Sequence, residues 1–285
     1  LKAFRGTDDR KIRLFRVDRN AARLTASCTR LCIPAPDESL VIDSIKQLVM
    51  LDQGWAPSRR GEALYVRPVL IATEPHLAVR PASRYRLLIF TSPVCEYFAQ
   101  VKSPLYLKAE ERYTRAPHGG TGYAKTASNY SVTLRPMNDS VEDGFDQILW
   151  LDGQEHKYVE EAGQMNIFFR LGDSVVTPDL SGTILPGVTR ESVLTLLDDM
   201  GVTATERRLS MDELFLAQAN GELYEAFGAG TASVVVPIGR IRYHDSDLRF
   251  PDEQQGNLCP ELYNKILGIQ HGELEDRHYW MMPLE

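Results

Sequence analysis

Apolar positions along the chain follow two periods, and the changes between them mark the elements. Lys11–Val17 reads as a strand after the polar turn Thr7–Arg10. Leu24, Cys28 and Leu31 then recur on one helical face, with Asn20 as the opening cap and Pro34 and Pro36 as breakers. Val41, Ile45, Leu48 and Val49 form a second helical stripe, closed by Gly54. Ala63–Thr73 and Tyr85–Val94 are β-rich runs separated by turn residues, so a sheet begins there. Further on, strands are expected at Leu105–Ala109, Gln147–Leu151 and Ala232–Tyr243, with a helix from about Asn129. Met165–Leu171 and Ser174–Thr177 flank Gly172-Asp173, a two-residue hairpin signal. Val193, Leu196, Leu197 and Met200 predict a helix ended by Gly201, and Ser210 with Glu213 a capping box for the next. Leu262, Ile266 and Ile269 predict a C-terminal helix.

Helices and strands are mixed without a strict βαβ rhythm and without internal repeats, which points to a two-domain α+β or mixed α/β protein. The expected division is a small domain over residues 1–98, a linker over 99–104, and a large domain over 105–285. The chain of 285 residues has 43% hydrophobic and 25% charged residues, enough apolar material for a substantial core. A net charge of -7 argues against a nucleic-acid binder, which would carry a basic face. No apolar run approaches the ~20 residues needed to cross a bilayer, and no signal peptide is visible. Four cysteines are too few for a disulfide framework, and Cys28 and Cys32, four apart, are expected as ordinary small core residues. The six histidines lack the tight spacing of a metal site, so no catalytic metal is expected.

The most informative stretch runs from Gly119 through Gly120, Thr121, Gly122, Tyr123, Ala124, Lys125, Thr126, Ala127 and Ser128 to Asn129 and Tyr130. A phosphate-binding P-loop nearly fits it. However, Ala124 stands where that motif needs glycine, and the preceding Glu110–Pro117 is polar rather than a buried strand. A solvated lysine in a glycine-rich loop is the bland alternative. The third possibility is a Schiff-base lysine, which needs a neutral amine and a site open on one side. Ala124, Ala127 and Ser128 are small enough for a flat ring to approach, and Tyr130 is near enough in sequence to hydrogen-bond the cofactor's phenolic oxygen.

The pattern Gly-Gly-Thr-Gly-x-x-Lys-x-x-x-Asn-Tyr at 119–130 resembles the lysine motif of the branched-chain amino acid aminotransferases, a fold-type IV family that uses pyridoxal 5'-phosphate. The likeness extends in order through Leu1-Lys-Ala-Phe-Arg-Gly6, Leu64-Tyr-Val-Arg-Pro68, Gln147-Ile-Leu-Trp-Leu151, Met165-Asn-Ile-Phe168, Ile184-Leu-Pro-Gly-Val-Thr-Arg190 and Phe227-Gly-Ala-Gly-Thr-Ala232. It implies that Lys125 is the catalytic lysine and that Glu161, with Glu160 as its neighbouring candidate, faces the ring nitrogen. It implies phosphate binding by Arg23, Val188, Thr189 and Thr231, and cofactor contact by Tyr130. Gly187-Val188-Thr189 opens a predicted helix, whose free N–H groups suit an anion. On the substrate side the resemblance implies Tyr65, Arg67, Val79, Tyr97, Gln164 and Ala232. Strand alternation puts Tyr65 and Arg67 on one face, and apolar surroundings argue that Arg67 has a partner. The implied activity is transfer of an amino group from a branched-chain or similar hydrophobic L-amino acid to 2-oxoglutarate, by a homodimer without nucleic-acid or membrane partners.

Members of this family usually carry several dozen residues before the Leu-Lys-Ala-Phe block, so an N-terminally incomplete small domain is expected. The compartment implied is cytoplasmic, or the mitochondrial matrix if a transit peptide preceded Leu1. Gln164 stands where the family usually has threonine, implying a shifted substrate preference. Ser233 and Val236 occupy the places of a redox cysteine pair found in mammalian members, so no thiol control is expected there. The alternatives are a catalytically silent binding or regulatory relative, or a D-amino acid aminotransferase or aminodeoxychorismate lyase on the same fold.

Overall fold

A computed structural model describes residues 1–95, 104–250 and 258–284. The chain divides into two compact units, residues 1–96 with 265–285, and residues 97–264.

The first unit is built on β1 (Lys2–Arg5), β2 (Ile12–Phe15), α1 (Val17–Arg30), α2 (Glu38–Leu51), β3 (Ala63–Ala72) and β4 (Tyr85–Val94). Its sheet is completed by a strand from the end of the chain, β14 (Met281–Pro283), in the order β14-β2-β1-β3-β4. Val41, Ile45 and Val49 recur every four residues along α2 and are buried with Ala3, Leu14, Leu64 and Val66 of the sheet. Long β3 and β4 pair antiparallel from Ala63–Val94 to Ala72–Tyr85, matching the two expected β-rich runs.

Three details differ from expectation. Helix α1 begins at Val17, so Asn20 is not its cap; its Nδ2 instead donates to Arg16 O at 2.8 Å. Helix α1 ends at Arg30, which leaves Cys32 outside it with φ 53°, exposed, while Cys28 is buried. Residues 265–285 pack with the first unit, whereas the expected large domain runs through to 285. The physical reason is long range: β14 pairs with β2, and buried His271 is held by Gly61 N–H and the carbonyl of Arg5. The expected linker falls on residues 99–103, outside the described residues, and Pro104.

The second unit contains β5 (Leu105–Ala109), α3 (Ser128–Ser131), α4 (Leu134–Glu142), β6 (Gln147–Leu151), β7 (Val159–Ala162), β8 (Met165–Leu171) and β9 (Ser174–Thr177). It continues with α5 (Val188–Asp199), β10 (Ala204–Glu206), α6 (Met211–Ala219), β11 (Leu223–Gly230), β12 (Val234–Tyr243) and β13 (Ser246–Arg249). Helix α7 (Leu258–Gln270) crosses the boundary between the units. Strands β5, β6, β7, β8, β11 and β12 pair in succession, and β12 pairs parallel with β5, so the six close into a barrel. Strands β9 and β10 extend from β8, and β13 from β12.

Leu105, Leu107 and Ala109 alternate onto one buried face with Leu149, Leu151, Ile167, Phe169 and Ile238. The other face is buried too: Phe168 and Phe227, directly paired, stack with centroids 5.1 Å apart, and α5 packs against β11. Both faces being covered explains the short unbroken apolar runs at 148–151 in β6 and 167–169 in β8.

Candidate active site

Lys125 lies in the loop between β5 and α3, and its Nζ donates to Tyr130 Oη at 2.8 Å. Asn129 holds this loop in shape. Its Nδ2 donates to the carbonyls of Thr121 and Ala124, both at 2.8 Å, and its Oδ1 accepts from Thr121 Oγ1. Gly122 is required by close approach: a Cβ there would lie 2.2 Å from the Thr183 carbonyl oxygen.

Strand β7 supplies Glu161, and β8 supplies Asn166, its partner across a hairpin turned by Gly163-Gln164. Gly163 has φ 59°, the left-handed backbone a two-residue hairpin turn takes at its first position. Glu161 is buried; Oε1 accepts from Leu185 N–H at 2.7 Å, and Oε2 lies 3.3 Å from Arg115 Nε. Burial pushes its carboxyl above the usual carboxylate range, against the pull of Arg115, the Leu185 N–H and Lys125. Arg115 is itself buried and also donates to Thr183 O. Asn166 Nδ2 donates to Leu185 O at 3.0 Å, so both sides of the hairpin grip the 183–187 segment.

That segment leads into α5. Gly187 is its N-cap, and a Cβ on Gly187 would meet Asn166 Oδ1 at 2.0 Å. Val188 and Thr189, both buried, form the first turn, where the leading N–H groups of a helix lack intrahelical partners. Asn166 also pairs with Ala229 in β11, two residues before Thr231 and three before Ala232, so one asparagine ties both expected phosphate segments to the hairpin. Tyr130, Glu161, Gln164, Leu185, Ala124 and Gly122 line a small cleft.

Of the expected site residues, Tyr130, Glu161 and Gln164 line one cleft, exposed Lys125 joins them through its bond to Tyr130, and Val188, Thr189, Thr231 and Ala232 are linked to the cleft through Asn166. Four of the remaining five, Tyr65, Arg67, Arg23 and Val79, lie on the first unit. Tyr65 and Arg67 share a face of β3, with Arg67 Nη2 3.3 Å from Tyr65 Oη and its guanidinium 5.2 Å from the ring centroid. Arg67 is exposed rather than set in apolar surroundings, but it does have that partner. Arg23 sits on α1 and donates to Asn20 Oδ1 at 3.0 Å. Val79 is fully exposed in the loop between β3 and β4. Tyr97 lies outside the described residues. Sequence reasoning misses Arg115, Asn129 and Thr183. Of these only Asn129 has a signal, as part of the lysine motif; Arg115 is an arginine in a polar loop whose burial depends on strands far away.

The residues present fit pyridoxal phosphate. A lysine amine paired with a tyrosine hydroxyl fronts the cleft, a buried and braced carboxylate backs it, and a helix start suited to an anion is anchored to the same hairpin. Among the described residues no cluster could hold a metal ion, and no helix is long and apolar enough to cross a membrane.

The model of the family described as "Amino-transferase class IV" matches residues 6–241. Branched-chain-amino-acid aminotransferase 2 of Bacillus subtilis is 45% identical over 280 residues, covering 98% of this chain and 77% of the relative. A branched-chain-amino-acid aminotransferase of Mycobacterium tuberculosis is 45% identical over 289 residues, covering 100% and 78%. Among solved structures, the branched-chain amino acid aminotransferase of Thermobaculum terrenum in its PLP form aligns with a TM-score of 0.81 at 20% identity, covering 100% of this chain and 87% of that one. The Escherichia coli branched-chain amino acid aminotransferase aligns with a TM-score of 0.80 at 18% identity, covering 100% and 88%. At such identities the likeness is one of fold, and the mixed α/β architecture is that of the fold-type IV aminotransferases. Matched over most of its length by the family model and at 45% identity by these relatives, the chain belongs to the class IV aminotransferases.

Proposed function

We propose that the protein transfers the amino group of branched-chain or similar hydrophobic L-amino acids to 2-oxoglutarate, using pyridoxal phosphate. The observation that carries this is the Lys125–Tyr130 pair fronting a cleft backed by the buried Glu161–Arg115 pair. Both relatives at 45% identity bear the corresponding name. When bound, the cofactor supplies an aldehyde to capture the amine and an electron-accepting ring.

The chain's own residues do the rest. Lys125 Nζ would shuttle the proton between the amino acid's α-carbon and the cofactor, in opposite directions in the two half-reactions. Tyr130 Oη fixes the direction from which that nitrogen works. Glu161, braced by Arg115 and Leu185 N–H, holds a proton on the ring nitrogen. The N–H groups of Val188 and Thr189, with Thr231 and Arg23, would take the phosphate. Tyr65, Arg67, Val79, Tyr97, Gln164 and Ala232 are assigned to the amino acid and the oxo acid.

The resemblance also supports a homodimer, and the exposed apolar residues Leu77, Val79 and Phe90 of the first unit are consistent with one. Both relatives at 45% identity are bacterial proteins, which supports the cytoplasm and gives no support to a mitochondrial location.

The test is the absorbance spectrum of purified protein with pyridoxal phosphate. A long-wavelength band should form, disappear on addition of L-leucine and return with 2-oxoglutarate. A folded sample that forms no band would remove the enzymatic function and favour a silent relative. A band indifferent to leucine would keep the cofactor and overturn the substrate class.

A further inference from the structure

Glu160 is a buried carboxylate beside the cleft that the mechanism above does not use. It precedes Glu161 on β7, so strand alternation aims the two side chains to opposite faces. It is 4% exposed, and its Oε1 accepts a hydrogen bond from Thr183 Oγ1. Thr183 O is in turn bound by the Arg115 guanidinium, and Arg115 forms the ion pair with Glu161. One threonine therefore links Glu160 to the cation that braces the ring-facing acid.

Two polar atoms in this cluster are buried without a hydrogen-bond partner: Glu160 Oε2 and Arg115 Nε. The second lies 3.3 Å from Glu161 Oε2, close enough for an ion pair but not aligned as a hydrogen bond. Arg115 thus pairs directly with Glu161, and reaches Glu160 only through Thr183 and through the field of its charge. The charged groups acting on Glu160 are Arg115, which favours its ionised form, and Glu161 and Asp152, which oppose it.

We propose that Glu160 is a positioning residue which, through Thr183 and Arg115, sets how much of Arg115's charge is committed to Glu161 and hence how strongly Glu161 holds a proton on the ring nitrogen. While Glu160 is neutral, Arg115 serves Glu161 alone. Once Glu160 ionises, it draws on the same guanidinium, and Glu161 becomes the stronger partner for a protonated ring. Burial pushes the Glu160 carboxyl up to about 7, so this redistribution falls near neutral pH. The inference rests on the pyridoxal phosphate assignment only for the ring nitrogen; the titration of Glu160 is independent of it.

The experiment uses Glu160→Gln, which keeps the shape and removes the charge, read out with and without cofactor. In the cofactor-free protein, a carboxyl that binds its proton more tightly folded than unfolded stabilises the fold at low pH. That stabilisation is lost as pH rises through about 7. The unfolding midpoint of the wild type should therefore fall across this range relative to the variant, and the two should coincide in acid. With pyridoxal phosphate bound, the pH-dependent change in its absorbance should occur at lower pH in Glu160→Gln than in the wild type, with the curves merging in acid. A second pair guards against misfolding of the first variant. Thr183→Val removes a donor to Glu160 and should move the stability loss to higher pH, whereas Thr183→Ser should restore it. A uniform, pH-independent loss of stability in Glu160→Gln, with an unshifted absorbance profile, would reduce Glu160 to a structural residue and overturn the proposal. Failure of the function itself would show differently, as a wild-type chain that titrates as described but forms no band with pyridoxal phosphate.

Discussion

Tyr130 shows how much a single hydroxyl is asked to do. Its Oη receives the Lys125 Nζ hydrogen bond at 2.8 Å, and that nitrogen is carried on a flexible four-carbon stem. Removing the hydroxyl in Tyr130→Phe forfeits a hydrogen bond to a charged or reacting group, about 1.5–3 kcal/mol. Transamination should then slow by roughly ten- to hundredfold in kcat with little change in KM. Steady-state kinetics with leucine decide this; an equal rise in KM would instead make Tyr130 a binding residue. Lys125, Tyr130 and Glu161 are all legible in the sequence because a local motif carries each of them. Arg115 and Thr183 are not. They become site residues only because Thr183 arrives over Gly122 and Arg115 is buried beside Glu161, and no spacing along the chain encodes either event.

At the scale of elements, legibility follows the range of the forces involved. The hairpin at Gly172-Asp173 and the cap of α6 are readable because a few neighbouring residues determine each. Ser210 Oγ accepts from Glu213 N–H at 3.1 Å, as expected. The reciprocal half of the capping box is absent, since the Glu213 carboxylate pairs with Arg207 instead. Ser210→Ala should therefore cost about 1 kcal/mol, the ordinary value of one N-cap bond. Denaturant unfolding measures it, and a loss several times larger would mean that Ser210 also supports the Tyr158–Ser210 bridge between strand and helix. Strand β7 escapes sequence reasoning for a complementary reason. Its sequence Val-Glu-Glu-Ala has two adjacent carboxylates, an unpromising strand by propensity, and it is buried at every position only because barrel neighbours and Arg115 receive them. A functional demand has overridden the local preference there.

For the whole molecule, the fold class follows from the mixture of elements, but the assignment of the C-terminal segment does not. A three-residue strand at 281–283 has no periodic signal, and its place is decided by β2, more than 260 residues earlier. The barrel closure is similarly remote: β12 meets β5 at Ile238–Leu105 through Arg242–Lys108. This seam has a consequence in time. The hairpins of the barrel can form early because their loops are short, but a parallel pairing across some 130 residues must wait for the chain to search a large volume. The lysine loop leaves β5 on one side of the seam, and the Thr231–Ala232 turn enters β12 on the other. Capture of pyridoxal phosphate should therefore lag behind recovery of secondary structure when the protein refolds from denaturant. Far-ultraviolet circular dichroism and cofactor absorbance, followed together, would resolve the two. The cofactor then acts as a late witness to folding, because it finds a complete berth only on chains that have closed the ring.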